Sequence, residues 1–436
     1  MATLTFPLSR IEGHARVEIE VRDGQVLSTR FQAMEKRGFT LMVKGVPAEQ
    51  MPVIVPRICG VCSTAHHVAA VKALEDAYGI KPPPLARAVR ELLLLGQIIQ
   101  NQATSLFIFT MPDRLGTDSI FHVSAEEANP EIQFNIARGA LRLRQLGTDL
   151  ITLAGGQFIH PVKAVVGGVS SGVSAERAQP FRERLLAALP GAGELVELYW
   201  DISLRMKERI GTWGDDQPAY YIASTEREQP NFDSDIIRVM TPAGECCQEF
   251  SAAQFRQVLA FEETDYSYAG RTSYEGGVMR ANSLARANMT RRLGTRMADR
   301  YLGRLRREFG YPAHAILLFD LCRGIELVYA IERAAALLAV PLEGETELPY
   351  APRDGEGWGL VEAPRGPLIH HYVIEGGHIA LGEFIIPTVH NMLAIERALR
   401  VAAERYITPA AVDLELERAV GRVVRAFDPC IACATH

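Results

Sequence analysis

Arg57-Ile58-Cys59-Gly60-Val61-Cys62, near the start of the chain, and Asp428-Pro429-Cys430-Ile431-Ala432-Cys433, at its end, share one spacing of cysteines. Two intervening residues let both sulfurs of a pair face the same point, so two such pairs can deliver four thiolates to one metal. Zinc ribbons and fingers gather their ligands locally, whereas 368 positions separate Cys62 from Cys430. A site closed by the two ends of a long chain resembles the core of an enzyme more than a staple for a small lobe. Soft thiolates accept zinc, copper(I), nickel or iron, so ligand chemistry alone does not choose among them.

The rest of the sequence narrows the setting. A chain of 436 residues with 48% hydrophobic and 22% charged residues can bury a large core without disulfides. Its net charge of −6, with no basic block, argues against nucleic acid or an anionic membrane surface as partner. Seven cysteines, an odd number, argue for thiols kept reduced or bound to metal. The N-terminal Met-Ala-Thr-Leu-Thr-Phe-Pro lacks the basic and apolar regions of a signal peptide. The apolar stretch from Glu91 to Met111 carries Gln97, Gln100, Asn101 and Gln102 in its middle, which predicts a buried helix and no membrane span.

Residues 15–33 alternate, with Val17, Ile19 and Val21 on one face and Glu18, Glu20 and Arg22 on the other. Asp23-Gly24 then precedes a second run, which predicts a β-hairpin. From Ser63 onward helical periodicity dominates. Ser63 is expected to cap a helix that Gly79 ends, and Pro82-Pro83-Pro84 separates it from a long helix beginning near Leu85. Further helices are predicted over roughly 132–154, 176–208, 284–308, 323–339 and 391–404, with a long loop over 342–368. With no repeat and no linker, residues 1–436 read as one domain, predominantly α with minor β (α+β).

Beyond the cysteine pairs, the chain carries Arg10-Ile11-Glu12-Gly13-His14, His66, His160-Pro161, Ala363-Pro364-Arg365-Gly366, Ile386-Pro387-Thr388 with Asn391, and a terminal His436. In this order, end to end, these motifs resemble the large, catalytic subunit of nickel–iron hydrogenases. The resemblance implies a large fold centred on a helix bundle with an N-terminal hairpin. It also implies reversible heterolytic cleavage of H2, in which a Lewis-acidic metal polarises the H–H bond and a nearby base takes the proton. In such a subunit Cys59 and Cys430 would be terminal nickel ligands. Cys62 and Cys433 would also bridge to an iron carrying carbon monoxide and cyanide.

The same resemblance assigns further roles. Glu12 would receive the proton from Cys430. Arg365 would stand over the open coordination position, with Asp428 as its carboxylate neighbour. Thr388, together with the backbone at Pro364 and Arg365, would hydrogen-bond the cyanides, and His66 would donate to a bridging thiolate. Read without the family, Glu12 is a surface carboxylate ahead of a strand and His66 a core histidine. A magnesium ion would be bound by His436 and the Phe384 carbonyl, but Thr40 stands where the family commonly has a glutamate. A threonine offers one neutral oxygen in place of a carboxylate.

Two other positions depart from the family. Gln100-Asn101-Gln102 replaces a segment that is often His-Asp-His, which places Asn101 opposite the arginine. Phe109 falls where many members have leucine beside the gas channel, with Val61 on the other wall. The leftover Cys246, Cys247 and Cys322 have no spacing for an iron–sulfur cluster, and no Gly-x-Gly-x-x-Gly loop follows a strand. Electrons must then leave through another chain, in the family an iron–sulfur small subunit, so at least a heterodimer is expected. Localisation would be cytoplasmic, or membrane-associated through partners. An H2-sensing hydrogenase and a non-catalytic protein with a structural tetrathiolate zinc site are the competing readings. If Phe109 narrows the gas route, inhibition by carbon monoxide should set in faster in Phe109→Leu; an unchanged rate would remove that role.

Overall fold

The structure, a computed structural model, describes residues 2–121, 130–210, 213–226, 229–409 and 411–435. Strands β1 (Ala2–Pro7), β2 (Ala15–Arg22) and β3 (Gln25–Ala33) form an antiparallel sheet in that order. Val17 and Ile19 are fully buried, while Glu18 and Glu20 pair with Arg30 on the other face. Asp23 and Gly24 both adopt positive φ, the backbone that a two-residue hairpin turn requires. The expected hairpin is therefore present, with β1 added along its edge.

Helices α1 (Ser63–Tyr78), α2 (Pro84–Ala103), α3 (Pro130–Gly155), α4 (Ala175–Arg205), α5 (Asn282–Met289), α6 (Arg296–Phe309), α7 (Leu318–Leu337), α8 (Met392–Tyr406) and α9 (Leu416–Phe427) are the longer helices among the described residues. The central helices pack α2 against α3 and α7, and α7 against α4. Pro84 sits in the first turn of α2, where its missing N–H costs nothing, and Gly79 ends α1 in the left-handed conformation. One continuous hydrophobic core runs from Ala15 to Ala434 and includes all four paired cysteines. The stretch Pro84–Leu115 is long and apolar enough to cross a membrane, and 83% of its apolar window is buried inside the protein.

Three expectations need correction. Ser63 is the first residue of α1 and not its cap; Cys62 occupies the cap position, with no side-chain cap bond. The helix expected over 284–308 is two, α5 and α6, separated by a turn in which Gly294 has φ 82°. Asp299 accepts the N–H groups of Leu293 and Gly294, and Glu332 those of Met297 and Ala298, so the new N-terminus is satisfied.

The third correction concerns β structure. Strands β4 (Tyr220–Ala223), β5 (Ile236–Met240), β6 (Cys246–Ser251) and β7 (Met279–Arg280) form a sheet in the order β6-β5-β4-β7. The supposed loop 342–368 contains β8 (Gly355–Ala363), which pairs with β9 (Gly366–Glu375), itself paired with β10 (His378–Ile385). The glycines of β8 hid it, because glycine weakens a strand pattern. Their reason is packing: a Cβ on Gly359 would lie 2.0 Å from the Ala69 carbonyl oxygen of α1. The sheet can rest on α1 only where both surfaces are nearly bare.

Gly359→Ala should therefore lower the thermal midpoint, at a cost of about 1–3 kcal/mol for overpacking. Gly191→Ala, in α4 with nothing within 4 Å of its added Cβ, should leave the midpoint unchanged or raise it. Equal midpoints for the two variants in a calorimetric scan would contradict this account of the α1–β8 contact.

Candidate metal centre

The two cysteine pairs meet because of how three chain segments end. Cys59 follows the short 3₁₀ turn Val55–Ile58, and Cys62 sits at the N-terminus of α1. Cys430 follows α9 after Asp428, whose φ of 48° reverses the chain, and Cys433 lies in the single turn Ile431–Ala434. Glu12 and Cys430 form an isolated parallel bridge, in which the Ile431 N–H donates to the Glu12 carbonyl at 3.1 Å. Gly13 permits this approach: at φ 81° it lies so close that a Cβ would sit 2.8 Å from that of Ile431.

All four sulfurs lie within 4.8 Å of one another, and all four residues are buried. Cys430 is central, at 3.4 Å from Cys59, 3.8 Å from Cys62 and 2.9 Å from Cys433. Among the described residues this is the only group of three or more such side chains placed to hold a metal ion. The thiols share their protons unevenly. Bonds from Cys430 and Cys433 lower Cys59 and Cys62, while burial pushes Cys430 and Cys433 up. A soft divalent metal held by these four cysteines would resolve that conflict, because the thiolate is the ligand form. The donor set fits nickel, and it would fit zinc as well.

The sequence-selected residues surround these sulfurs. Glu12 Oε2 lies 3.1 Å from Cys430 Sγ and accepts the Ala432 N–H at 3.0 Å. Burial first, and then the charge of Cys59, push its carboxyl up to about 7. Arg365 and Pro364 form the tip of the hairpin between β8 and β9, a rigid mount for a guanidinium. Arg365 Nη1 donates to Cys62 Sγ at 3.2 Å, Nη2 to Asp428 Oδ1 at 3.0 Å, and Nε to the Asp428 carbonyl at 2.5 Å. Burial opposes its charge, but Asp428 and three cysteine sulfurs hold its pKa well above the ordinary arginine value. Asn101 Nδ2 donates to the other Asp428 oxygen at 3.2 Å, so the residue expected opposite the arginine reaches it through Asp428.

His66 places Nε2 3.4 Å from Cys433 Sγ, and its Nδ1 lies 2.9 Å from His370 Nε2. Thr388 Oγ1 accepts the Cys430 N–H at 3.0 Å, and its hydroxyl donates to the Cys430 carbonyl at 3.4 Å. That hydroxyl is thus spent on the backbone of a cysteine here. Phe384 is buried against the His370 ring. His436 lies outside the described residues. Glu35 is engaged by His14 and Arg37. Phe109 is half-buried, and its carbonyl accepts from Arg10 at 2.6 Å.

Several buried polar residues behind the site carried no signal in the sequence. Arg286, Glu326, Glu362 and His370 sit in helix and strand patterns that could as well be structural, and only their convergence in space marks them.

Comparison with known proteins separates nickel from zinc. The family model described as nickel-dependent hydrogenase matches residues 37–138 and 238–436, and one described as HoxL-like matches residues 6–35. The chain is 32% identical to a subunit of the vhu F420-non-reducing hydrogenase of Methanocaldococcus jannaschii, over 91% of its own length and 97% of that protein's. It is 29% identical to the beta subunit of the NAD-reducing hydrogenase HoxS of Cupriavidus necator, covering 99% of this chain and 93% of that one. An NAD+-reducing NiFe hydrogenase solved in its H2-reduced state superimposes with a TM-score of 0.92 at 28% identity, over 100% of both chains. The buried tetrathiolate site and these matches together establish that the chain belongs to the nickel-dependent hydrogenase family, oxidoreductases that act on H2.

Proposed function

We propose that this chain is the catalytic component of a multi-subunit nickel–iron hydrogenase, with Glu12 as the base that moves protons away from Cys430. The observation that carries this reading is the 3.1 Å contact between Glu12 Oε2 and Cys430 Sγ inside the buried four-sulfur cluster. Cys59, Cys62, Cys430 and Cys433 would together hold nickel and an iron with carbon monoxide and cyanide ligands. When bound, that centre supplies the Lewis acidity that polarises H2.

The chain's own residues do the rest. Cys430 Sγ takes the proton released by heterolysis and passes it to Glu12 Oε2. A carboxyl whose pKa is raised to about 7 both accepts and releases a proton near neutrality, as an efficient relay must. The Ala432 N–H keeps the carboxyl aimed at the sulfur. Arg365 stays charged at every working pH and, tied to Asp428, sets its positive charge beside Cys62. His66 would stabilise Cys433 as a metal ligand through its 3.4 Å contact with the sulfur. Thr388 would act by fixing the Cys430 backbone, and Pro364 by shaping the hairpin tip.

The electrons need another carrier. Cys322 is buried apart from the exposed Cys246 and Cys247, and these three form no cluster site among the described residues. We therefore assign their onward transfer to an iron–sulfur small subunit. This fits relatives that are themselves single subunits of hydrogenases. A magnesium ion at His436 and Phe384 would lack the usual carboxylate, since Thr40 takes that place.

Elemental analysis of natively matured enzyme should find one nickel and one iron per chain, and Cys433→Ser should reduce nickel to near zero. Zinc without nickel in active material would overturn the assignment. Glu12→Gln should retain nickel yet lose about 10²–10⁴-fold in H2-dependent dye reduction, the usual worth of a positioned base. Glu12→Asp should recover part of that loss. Full activity in Glu12→Gln would refute its role.

A further inference from the structure

Behind Arg365 lies a buried guanidinium that no motif singles out. Arg286 of α5 has five N–H donors, and all five are paired. Nε donates to Glu326 Oε1 at 2.6 Å; Nη1 donates to Glu362 Oε1 at 2.6 Å and the Ala363 carbonyl at 3.2 Å. Nη2 donates to Glu326 Oε2 at 2.9 Å and the Pro364 carbonyl at 2.7 Å. The two carbonyls belong to the hairpin tip that carries Arg365. Glu362 is itself fixed, because its second oxygen accepts the Ser224 N–H at 2.8 Å.

The partners of Arg286 return to the site from the other side. Glu326 Oε2 accepts from Gln102 Nε2 at 2.6 Å, and Gln102 Oε1 accepts from Asn101 Nδ2 at 3.3 Å. Asn101 Nδ2 also donates to Asp428 Oδ2, and Asp428 Oδ1 accepts from Arg365. The result is a closed ring: Arg286, the Pro364 carbonyl, Arg365, Asp428, Asn101, Gln102, Glu326 and back to Arg286. All of its members are buried. A closed ring restrains each side chain from both sides, so a shift of one member must displace the next.

We propose that Arg286 is a positioning residue that sets the aim of Arg365 and Asp428 at the cluster, through the Ala363 and Pro364 carbonyls on one side and the Glu326–Gln102–Asn101 relay on the other. This rests on the role given above to Arg365. The ring also explains why residues 101 and 102 are amides here. Gln102 must donate to a carboxylate with one end and accept from Asn101 with the other, which a glutamate facing Glu326 could not do. Lysine could not replace Arg286, because three donors on one nitrogen cannot serve four groups in a planar fork.

The test is a double-mutant cycle on the matured complex, with nickel content measured alongside turnover. Arg286→Lys should keep nickel but lower kcat at least tenfold, and should cost nothing further when added to Arg365→Lys. An equal fold-loss in both backgrounds would mean that Arg286 is only structural, and no loss in the native background would overturn the proposal outright. Unchanged kcat in Arg365→Lys would refute the role of Arg365 itself, and with it any positioning of that role. If Arg286→Lys fails to mature, Gln102→Glu supplies the second route. With nickel retained it should lower kcat at least tenfold, because two carboxylates then face each other, and it should cost nothing further when added to Arg365→Lys. Full kcat in Gln102→Glu, or an equal fold-loss in the native and Arg365→Lys backgrounds, would break the ring model.

Discussion

Four sulfur atoms held within 4.8 Å in the buried interior are the constraint on which the rest of this structure depends. Thiols brought that close cannot all ionise without a cation, and cannot easily be stabilised as neutral groups among charged neighbours. The fold accommodates them by placing each at a stop: Cys59 after a 3₁₀ turn, Cys62 at a helix N-terminus, Cys430 two residues after the left-handed Asp428, and Cys433 in a single helical turn. None of these positions can slide along its element without losing backbone bonds. Rigid mounts of this kind are what a metal site with fixed geometry requires, because small errors in ligand position cost affinity and activity.

The charges around the cluster divide it into two sides. Glu12, held by Ala432, approaches Cys430 with a carboxyl whose proton affinity burial has brought near neutrality. Arg365 approaches Cys62 and carries Asp428 with it. An isolated buried arginine would be prohibitively costly, but here each guanidinium is paired and hydrogen-bonded, as buried charges must be. Arg365 leans on Asp428, and Arg286 leans on Glu326 and Glu362. The site is thus supported by a second layer of ion pairs, which converts the stiffness of α5 and α7 into the aim of a residue on a hairpin tip.

Much of the site was legible before any coordinates. The cysteine pairs, Glu12, Arg365, Asp428, His66 and Thr388 all stand in short motifs; Glu12, Arg365 and His66 reach the sulfurs, Asp428 is tied to Arg365, and Thr388 holds the Cys430 backbone. The hairpin of residues 15–33 was legible too, since alternation and an Asp-Gly turn are local signals. β8 was not, because its glycines answer to α1, a surface some 290 residues away in sequence. The break between α5 and α6 was also hidden, since Asp299 and Glu332 satisfy it from outside the periodic pattern.

By itself the sequence determined which atoms are available to the metal: four thiols at a spacing that lets each pair converge, one carboxylate and one guanidinium in distinctive neighbourhoods. These are properties of residue type and short-range geometry, which a chain carries whether or not it is folded. Only the tertiary structure decided that Arg365 meets Cys62, that Thr388 is taken up by the Cys430 backbone, and that Arg286 and Gln102 close a ring behind them. Those pairings depend on elements hundreds of residues apart packing at fixed distances. Hydrogen bonds and desolvation act only at such contacts, so no local pattern could have specified them.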